Sequence, residues 1–314
     1  MQKRLIPFAL SSSLLLCGLV HAADPALNQT IVADDGEKSL AQTLSVAPDA
    51  RIEIENVRGS VVVNGWEQPQ VQLSGTLGED SKLEISGDAQ HLNLRVQSKG
   101  SHWLRGNGPD SDSDLVVKVP HGAALKVAVV SADASVSGVS GKTFDVNGVS
   151  GKLTLSGDAP QIDVNSVSGD VVFTTKQTNA ARAHLQTVSG DITAHGLGGR
   201  IKLETVSGDI GLDGGEVQEL ETGTVSGDAK LHVTPSAHAR FSLESMSGDI
   251  RLHMAGSLSG HVEAQTFSGG IRSDFGRVQD KEHGSGSSLD AHVGDGDAQV
   301  HAQTFSGDIE LRKQ

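Results

Sequence analysis

Apolar and polar residues alternate along most of this chain in short runs, and they seldom fall at helical spacing. Downstream of a recurring aspartate, positions +1 and +3 are mostly apolar: Val171 and Phe173, Ile192 and Ala194, Ile210 and Leu212. The same holds for Ala229 and Leu231, Ile250 and Leu252, and Ile309 and Leu311. A period of two is that of a strand with one buried face. Further strand signals run from Arg51 to Glu55, Val61 to Val63, Val71 to Leu73, Leu83 to Ile85 and Leu92 to Val96, then resume at Leu115 to Val119 and Leu125 to Val130. Thr, Val and Ile dominate these runs, and β-branched side chains suit a pleated surface. Good helix formers seldom follow one another, so the pattern predicts strands and no helix.

The strands are punctuated by one phrase. It reads Asn165-Ser-Val-Ser-Gly-Asp-Val171, Gln186-Thr-Val-Ser-Gly-Asp-Ile192, Glu204-Thr-Val-Ser-Gly-Asp-Ile210 and Gly223-Thr-Val-Ser-Gly-Asp-Ala229. It continues as Glu244-Ser-Met-Ser-Gly-Asp-Ile250, Gln265-Thr-Phe-Ser-Gly-Gly-Ile271 and Gln303-Thr-Phe-Ser-Gly-Asp-Ile309. From Ser168 to Ser268 the serines step by 21, 18, 19, 21 and 21 residues. Twenty extended residues would span roughly 66 Å, too long for one strand but suited to a coil with two or three bends. A period near twenty with turn residues at a fixed phase is the signature of a repeat stack. The predicted fold is therefore all-β: an elongated parallel β-helix (β-solenoid) with coils of about 18–21 residues. Stacking the coils predicts a core column of Val188, Val206, Val225, Met246 and Phe267, with the two columns after the aspartate supplying the rest.

Residues 1–22 read as a secretory signal peptide, with Lys3 and Arg4 before an apolar stretch and Val20-His-Ala22 at the cleavage site. Cys17 offers a lipoprotein alternative, but Leu16 stands where a small residue is required. Residues 23–50 form an N-terminal cap or lead-in, and 51–314 a single β-solenoid domain with loops at 100–114 and 274–288. Because the chain stops just after a full repeat, its last coil is expected either to self-associate end to end or to be covered by the 274–288 insertion.

Without Lys3 and Arg4 the chain keeps 23 basic against 39 acidic residues, a net charge of −16. That balance argues against nucleic acid and against direct binding to anionic membranes. Cleavage would also remove the single cysteine, leaving an exported chain that relies on no disulfide. With no Tyr, seven Phe and two Trp, an aromatic platform for sugars is poorly supplied.

The segment from Ile54 to Trp66, the later Val117-Lys-Val-Pro120 and the Ser-Gly-Asp series together resemble bacterial "putative adhesin" domains of unknown function. The closing stretch from Gly294 to Ile309 is similar to that family's ending. The resemblance covers nearly all of the chain after the leader. It implies an exported β-helix with an envelope or surface role and brings no established catalytic residues. Lys142 and Lys152 after Ser-Gly, and Gly270 in place of aspartate, depart from the pattern.

Two columns carry candidate chemistry. The aspartates Asp170, Asp191, Asp209, Asp228, Asp249 and Asp308 stack at the corners, where calcium could relieve their repulsion. The structural alternative is that each accepts backbone N–H bonds at its own corner. Four residues after the aspartates stand His195, Asp213, His232 and His253, an outward-facing set of zinc-ligand types on successive coils. The alternative there is a polar solvent face. The run Asp110-Ser-Asp-Ser-Asp114 lacks the glycine and final glutamate of a calcium loop, and Trp103 in the same loop is read either as a contact residue or as folding back onto the solenoid. No nucleophile elbow, phosphate loop or metalloprotease motif is present, so the chain is not read as an enzyme. The leading functional expectation is a non-catalytic periplasmic, cell-surface or secreted solenoid that binds an envelope protein or glycan. The alternatives are a periplasmic metal-binding or stress-sensing module and a glycan-active β-helix enzyme.

Overall fold

The computed structural model describes residues 27–33, 36–98, 111–176, 182–280 and 286–314, and the regular structure among them is all β-strand. The predicted signal segment, Cys17, Trp103 and most of the predicted 100–114 loop lie outside the described residues. Each repeat supplies one strand before the Ser-Gly-Asp corner and one after it. The strands before the corner pair in parallel and in register: Thr143–Ser150 with Gln161–Ser168, then Arg182–Ser189, then Gly199–Ser207. This row continues through the second halves of Ile210–Ser226 and Ala229–Ser247. The strands after the corner form a second parallel row: Leu153–Gly157, Val171–Thr174, Ile192–His195, the first halves of those two long strands, and Ile250–Met254.

The sheet is mixed where an entirely parallel stack was expected. Arg51–Trp66 pairs in parallel with Ala124–Val139 on one side, and with His91–Ser98 and Ser113–Pro120 on the other. Beyond that rung the pairing turns antiparallel. Ser81–Gly87 followed by Leu27–Ala33 extends one row, and Gln70–Leu77 followed by Lys38–Ser45 extends the other. The lead-in thus contributes the outermost strand of both rows.

The other end departs further from the sequence order. Ala298–Ser306 lies between Ala229–Ser247 and Gly260–Ser268, and Ile309–Lys313 lies between Ile250–Met254 and Ile271–Ser273. The last repeat is therefore inserted between its two predecessors and is not the terminal coil. Gly260–Ser268 carries Ser287–Val293 antiparallel on its outer edge, and Gln279–Asp280 pairs with that strand in turn. Part of the predicted 274–288 loop is thus strand, and it covers a coil that precedes it in sequence.

Inward residues of both rows merge into one apolar core, in which Phe144 and Phe173 meet edge to face at 5.8 Å. The predicted core column is not part of it. Val188 is 45% exposed, whereas Thr187 beside it is 1% exposed. The strand before the corner sets the parity: Ala183 and Leu185 point inward, so Thr187 does too and Val188 points out. The inward hydroxyls of Thr205, Thr266 and Thr304 donate to the carbonyls of Gly190, Gly307 and Gly248, at 3.3, 3.0 and 3.2 Å. Those of Ser166, Thr187, Thr224 and Ser245 are buried without a partner among the described residues.

The corner demands glycine. Gly227 has φ of +145°, and an added Cβ would collide with the carbonyl oxygen of Gly208 on the adjacent coil. Strain at positive φ and the clash act together, so Gly227→Ala should cost about 3 kcal/mol in chemical denaturation. Gly223→Ala, with only the end of Glu204 nearby, should change stability by less than about 0.5 kcal/mol. Thr187→Val, which removes a buried hydroxyl that has no partner, should raise stability by about 1 kcal/mol. Thr205→Val removes a hydroxyl that is bonded and should not.

Candidate binding face

Because every coil repeats the same parity, the outward residue just before each corner forms one continuous column. In stacking order it runs Val57, Val130, Val149, Val167, Val188, Val206, Val225, Met246, Phe305 and Phe267, exposed by 41–59%. Phe305 and Phe267 stack face to face with centroids 4.8 Å apart, which follows from the inserted last coil and not from the sequence order. A groove of about 460 Å³ opens between Val225, Met246 and Phe305, and another of about 630 Å³ lies beside Val57, Val130 and Val149. The sequence marks the column as a set, but strand parity puts it on the outer face and not in the core.

Two residues upstream on the same face stands a column rich in amides and carboxylates, including Asn147, Asn165, Gln186, Glu204, Gln303 and Gln265. Asn165 donates to Asn147 Oδ1 at 3.3 Å and to Asp163 Oδ1 at 2.6 Å. One step further the column is charged. His184 lies 3.3 Å from Glu204 and 3.9 Å from Asp163, and Lys202 lies 3.2 Å from Glu204 and 3.5 Å from Glu221. The two carboxylates, led by Glu204, raise the pKa of Lys202. The face therefore presents an apolar ridge flanked by amides and then by paired charges.

The corner aspartates hold the stack together. Asp170 Oδ1 accepts from the N–H of Asp191 at 3.1 Å, Asp191 from Asp209 at 2.8 Å, and Asp209 from Asp228 at 2.8 Å. Asp228 accepts from Asp249 at 3.0 Å, Asp249 from Asp308 at 2.8 Å, and Asp308 from the N–H of Gly270 at 2.8 Å. Each carboxylate thus reaches the next coil's corner, not its own. Gly270 occupies the last corner of the column among the described residues, with Asp308 as its one neighbour in the series. At Lys152 the backbone N–H donates to Asp133 Oδ1 at 2.8 Å, and the carbonyl accepts from the Ala134 N–H at 3.0 Å.

The histidine column does lie on neighbouring rungs. His195 pairs with Asp213, Asp213 with His232 and His232 with His253. His195 Nδ1 is 3.9 Å from Asp213, while the His232 and His253 rings meet edge to face at 4.8 Å. Adjacency does not become convergence: among the described residues, no three His, Cys, Asp or Glu side chains are gathered to hold a metal ion. A cleft of about 880 Å³ is lined by Glu37, Asp112, Asp114 and Asp133 with Arg58, which lies 3.8 Å from Asp112.

Arg251 clamps two corner carboxylates, Asp228 at 3.1 Å and Asp249 at 2.6 Å. The Asp249 N–H, followed by Arg251, holds the Asp228 carboxyl below the usual carboxylate range. Asp274, Asp297 and Glu310 are lowered too, by a backbone N–H or by arginine or histidine partners. A depressed folded pKa adds stability that is present above the unfolded value and lost as pH falls through the folded one. The melting temperature should accordingly hold from pH 7 to about 5 and fall below about pH 4. Asp228→Asn should melt lower at pH 7 and lose less on acidification than the unmodified chain. An equal acid loss in both would remove Asp228 from this account.

Comparison with solved structures finds matches at low identity. A "putative adhesin" from Parabacteroides merdae is 10% identical with a TM-score of 0.49, covering 90% of this chain and 98% of that one. A "putative adhesin" from Bacteroides fragilis is 11% identical with a TM-score of 0.45, covering 87% and 97%. Another from Parabacteroides distasonis is 14% identical with a TM-score of 0.40, covering 90% and 99%. No curated protein matches the chain. Residues 50–312 match the family described as Toastrack DUF4097, a span that takes in both pairing rows, the corner column and the inserted last coil. This chain belongs to the Toastrack DUF4097 family.

Proposed function

We propose that this chain is an exported, non-catalytic β-solenoid of the cell envelope or surface that binds an extended partner along its apolar ridge. The observation that carries the reading is the column of ten exposed apolar side chains, unbroken from Val57 to Phe267. Scattered apolar residues on a surface need no explanation, but a contiguous apolar strip rimmed by polar columns is typical of an interaction site. A repeating ridge suits an envelope protein or glycan that is itself extended, because each coil offers the same contact again. The resemblance to adhesin-like domains and the leader at 1–22 point the same way. The corner carboxylates, each bonded to the next coil's backbone, support a structural use for the residues most like catalytic groups.

Protease shaving of intact cells, with a periplasmic protein as control, tests the location. Loss of this chain while the control survives is the outcome expected for the surface form of the proposal. Survival until the outer layer is opened places its work inside the envelope. Binding is tested with purified chain added to envelopes from cells that carry it. Val188→Asp combined with Val206→Asp should leave the circular dichroism spectrum unchanged and reduce retention at least tenfold. Retention equal to the unmodified chain would remove the ridge from the function.

A further inference from the structure

We infer that the apolar ridge is a homotypic interface: two copies of this chain pair through it side by side, with their stacks running in the same direction. The inference rests on the reading of the ridge as a binding face and names its partner.

Three features select a second copy. The first is area. Ten side chains, each about half exposed, offer on the order of 900 Å² of surface, close to the roughly 800 Å² per partner of a standard interface. The second is spacing. The ridge repeats once per coil, at the roughly 4.8 Å interval of hydrogen-bonded strands. An ordinary strand laid along it would present side chains on one face at about 6.6 Å and fall out of step within a few coils. A second ridge of the same chain stays in step from end to end, as facing columns do in paired sheets. The third is chemistry. The column of amides and carboxylates on one side of the ridge accepts hydrogen bonds, and the exposed corner serines on the other donate them, so each copy supplies what the other's flank needs.

Charge then decides direction. With the stacks antiparallel, the charged column would meet its own reverse. Glu53 would face Glu263, Lys126 would face His301, Asp163 would face Glu221, and His184 would face Lys202. Three of those pairings set like charges or a cation and a titratable histidine opposite one another, and Asp163 with Glu221 adds a fourth conflict. A two-fold axis running along the ridge avoids all four, since the charged columns then lie on opposite sides of the interface. It also sets each coil against its own copy, so that Phe305 and Phe267 meet Phe305 and Phe267.

Single cysteines read this out directly. In the full chain carrying Cys17→Ser, Val130→Cys and Phe305→Cys should each form disulfide-linked dimers with itself under mild oxidation. Lys230→Cys, exposed on the other row, should not. The unmodified chain should sediment at twice its monomer mass at micromolar concentration, and Val188→Asp with Val206→Asp should return it to monomer. If neither cysteine variant links alone but a mixture of the two does, the stacks are antiparallel and the stated arrangement is wrong. Monomeric sedimentation with no more cross-linking than Lys230→Cys overturns the homotypic interface altogether. If that happens while the double aspartate variant still loses envelope retention, the binding-face reading survives and only its partner changes. A ridge-dependent dimer whose envelope retention is unaffected by the aspartates has the opposite meaning.

Discussion

Close contact between successive Gly corners is the constraint on which the rest of this structure depends. Gly169 donates its N–H to the carbonyl of Ser189 at 3.0 Å, while the Asp191 N–H returns to the carboxylate of Asp170 at 3.1 Å. The same exchange recurs at Gly190, Gly208 and Gly227. Since the glycine has no side chain, the backbones of adjacent coils approach until a Cβ could not be fitted between them. Each corner therefore locks register with the next, and every column on both rows inherits that alignment. The aspartate series is best understood within this exchange: a repeated carboxylate whose repulsion is offset by a repeated N–H, with Arg251 bridging Asp228 and Asp249 in addition.

Register fixes parity, and parity explains the least expected feature of the surface. The residue next to Val188 that points inward is Thr187, so the core under the corner is lined with hydroxyls while the apolar residue stands outside. Thr205, Thr266 and Thr304 use that position to bond glycine carbonyls of an adjacent coil, which ties the inner column to the same corners. Several other hydroxyls are buried without a partner among the described residues. A fold selected for stability alone would place valine inward and threonine outward. The reverse arrangement, kept on coil after coil, is what gives the exposed ridge its weight as a binding feature.

A stack of strands must also deal with its two ends, because unpaired edges invite further pairing. This chain finishes one end with antiparallel strands on both rows, Leu27–Ala33 and Lys38–Ser45, and at the other it covers one row with Ser287–Val293 while the second row ends on Ile271–Ser273. The last repeat is placed inside the stack, so that a corner lacking aspartate, at Gly270, can occupy the final position. One consequence for the surface is direct: Phe305 comes to lie between Met246 and Phe267 and completes the aromatic end of the ridge.

Much of this was legible in the amino-acid order. The period-two alternation called for strands, the Ser-Gly-Asp spacing for stacked coils in register, and His195, Asp213, His232 and His253 were correctly placed on neighbouring rungs. Those features are local or periodic, and one repeat predicts the next. Even the outward ridge was within reach, since counting back from Thr187 to Leu185 and Ala183 yields its parity. Other features were beyond it. The insertion of the last repeat and the antiparallel ends are choices between pairings that a repeating sequence makes nearly equivalent locally. Whether the histidines converge depends on rotamers and ring packing, which spacing does not encode. Local alternation and corner chemistry thus determined the coil, and only the tertiary pairing of distant strands decided the order of the coils and the surface they share.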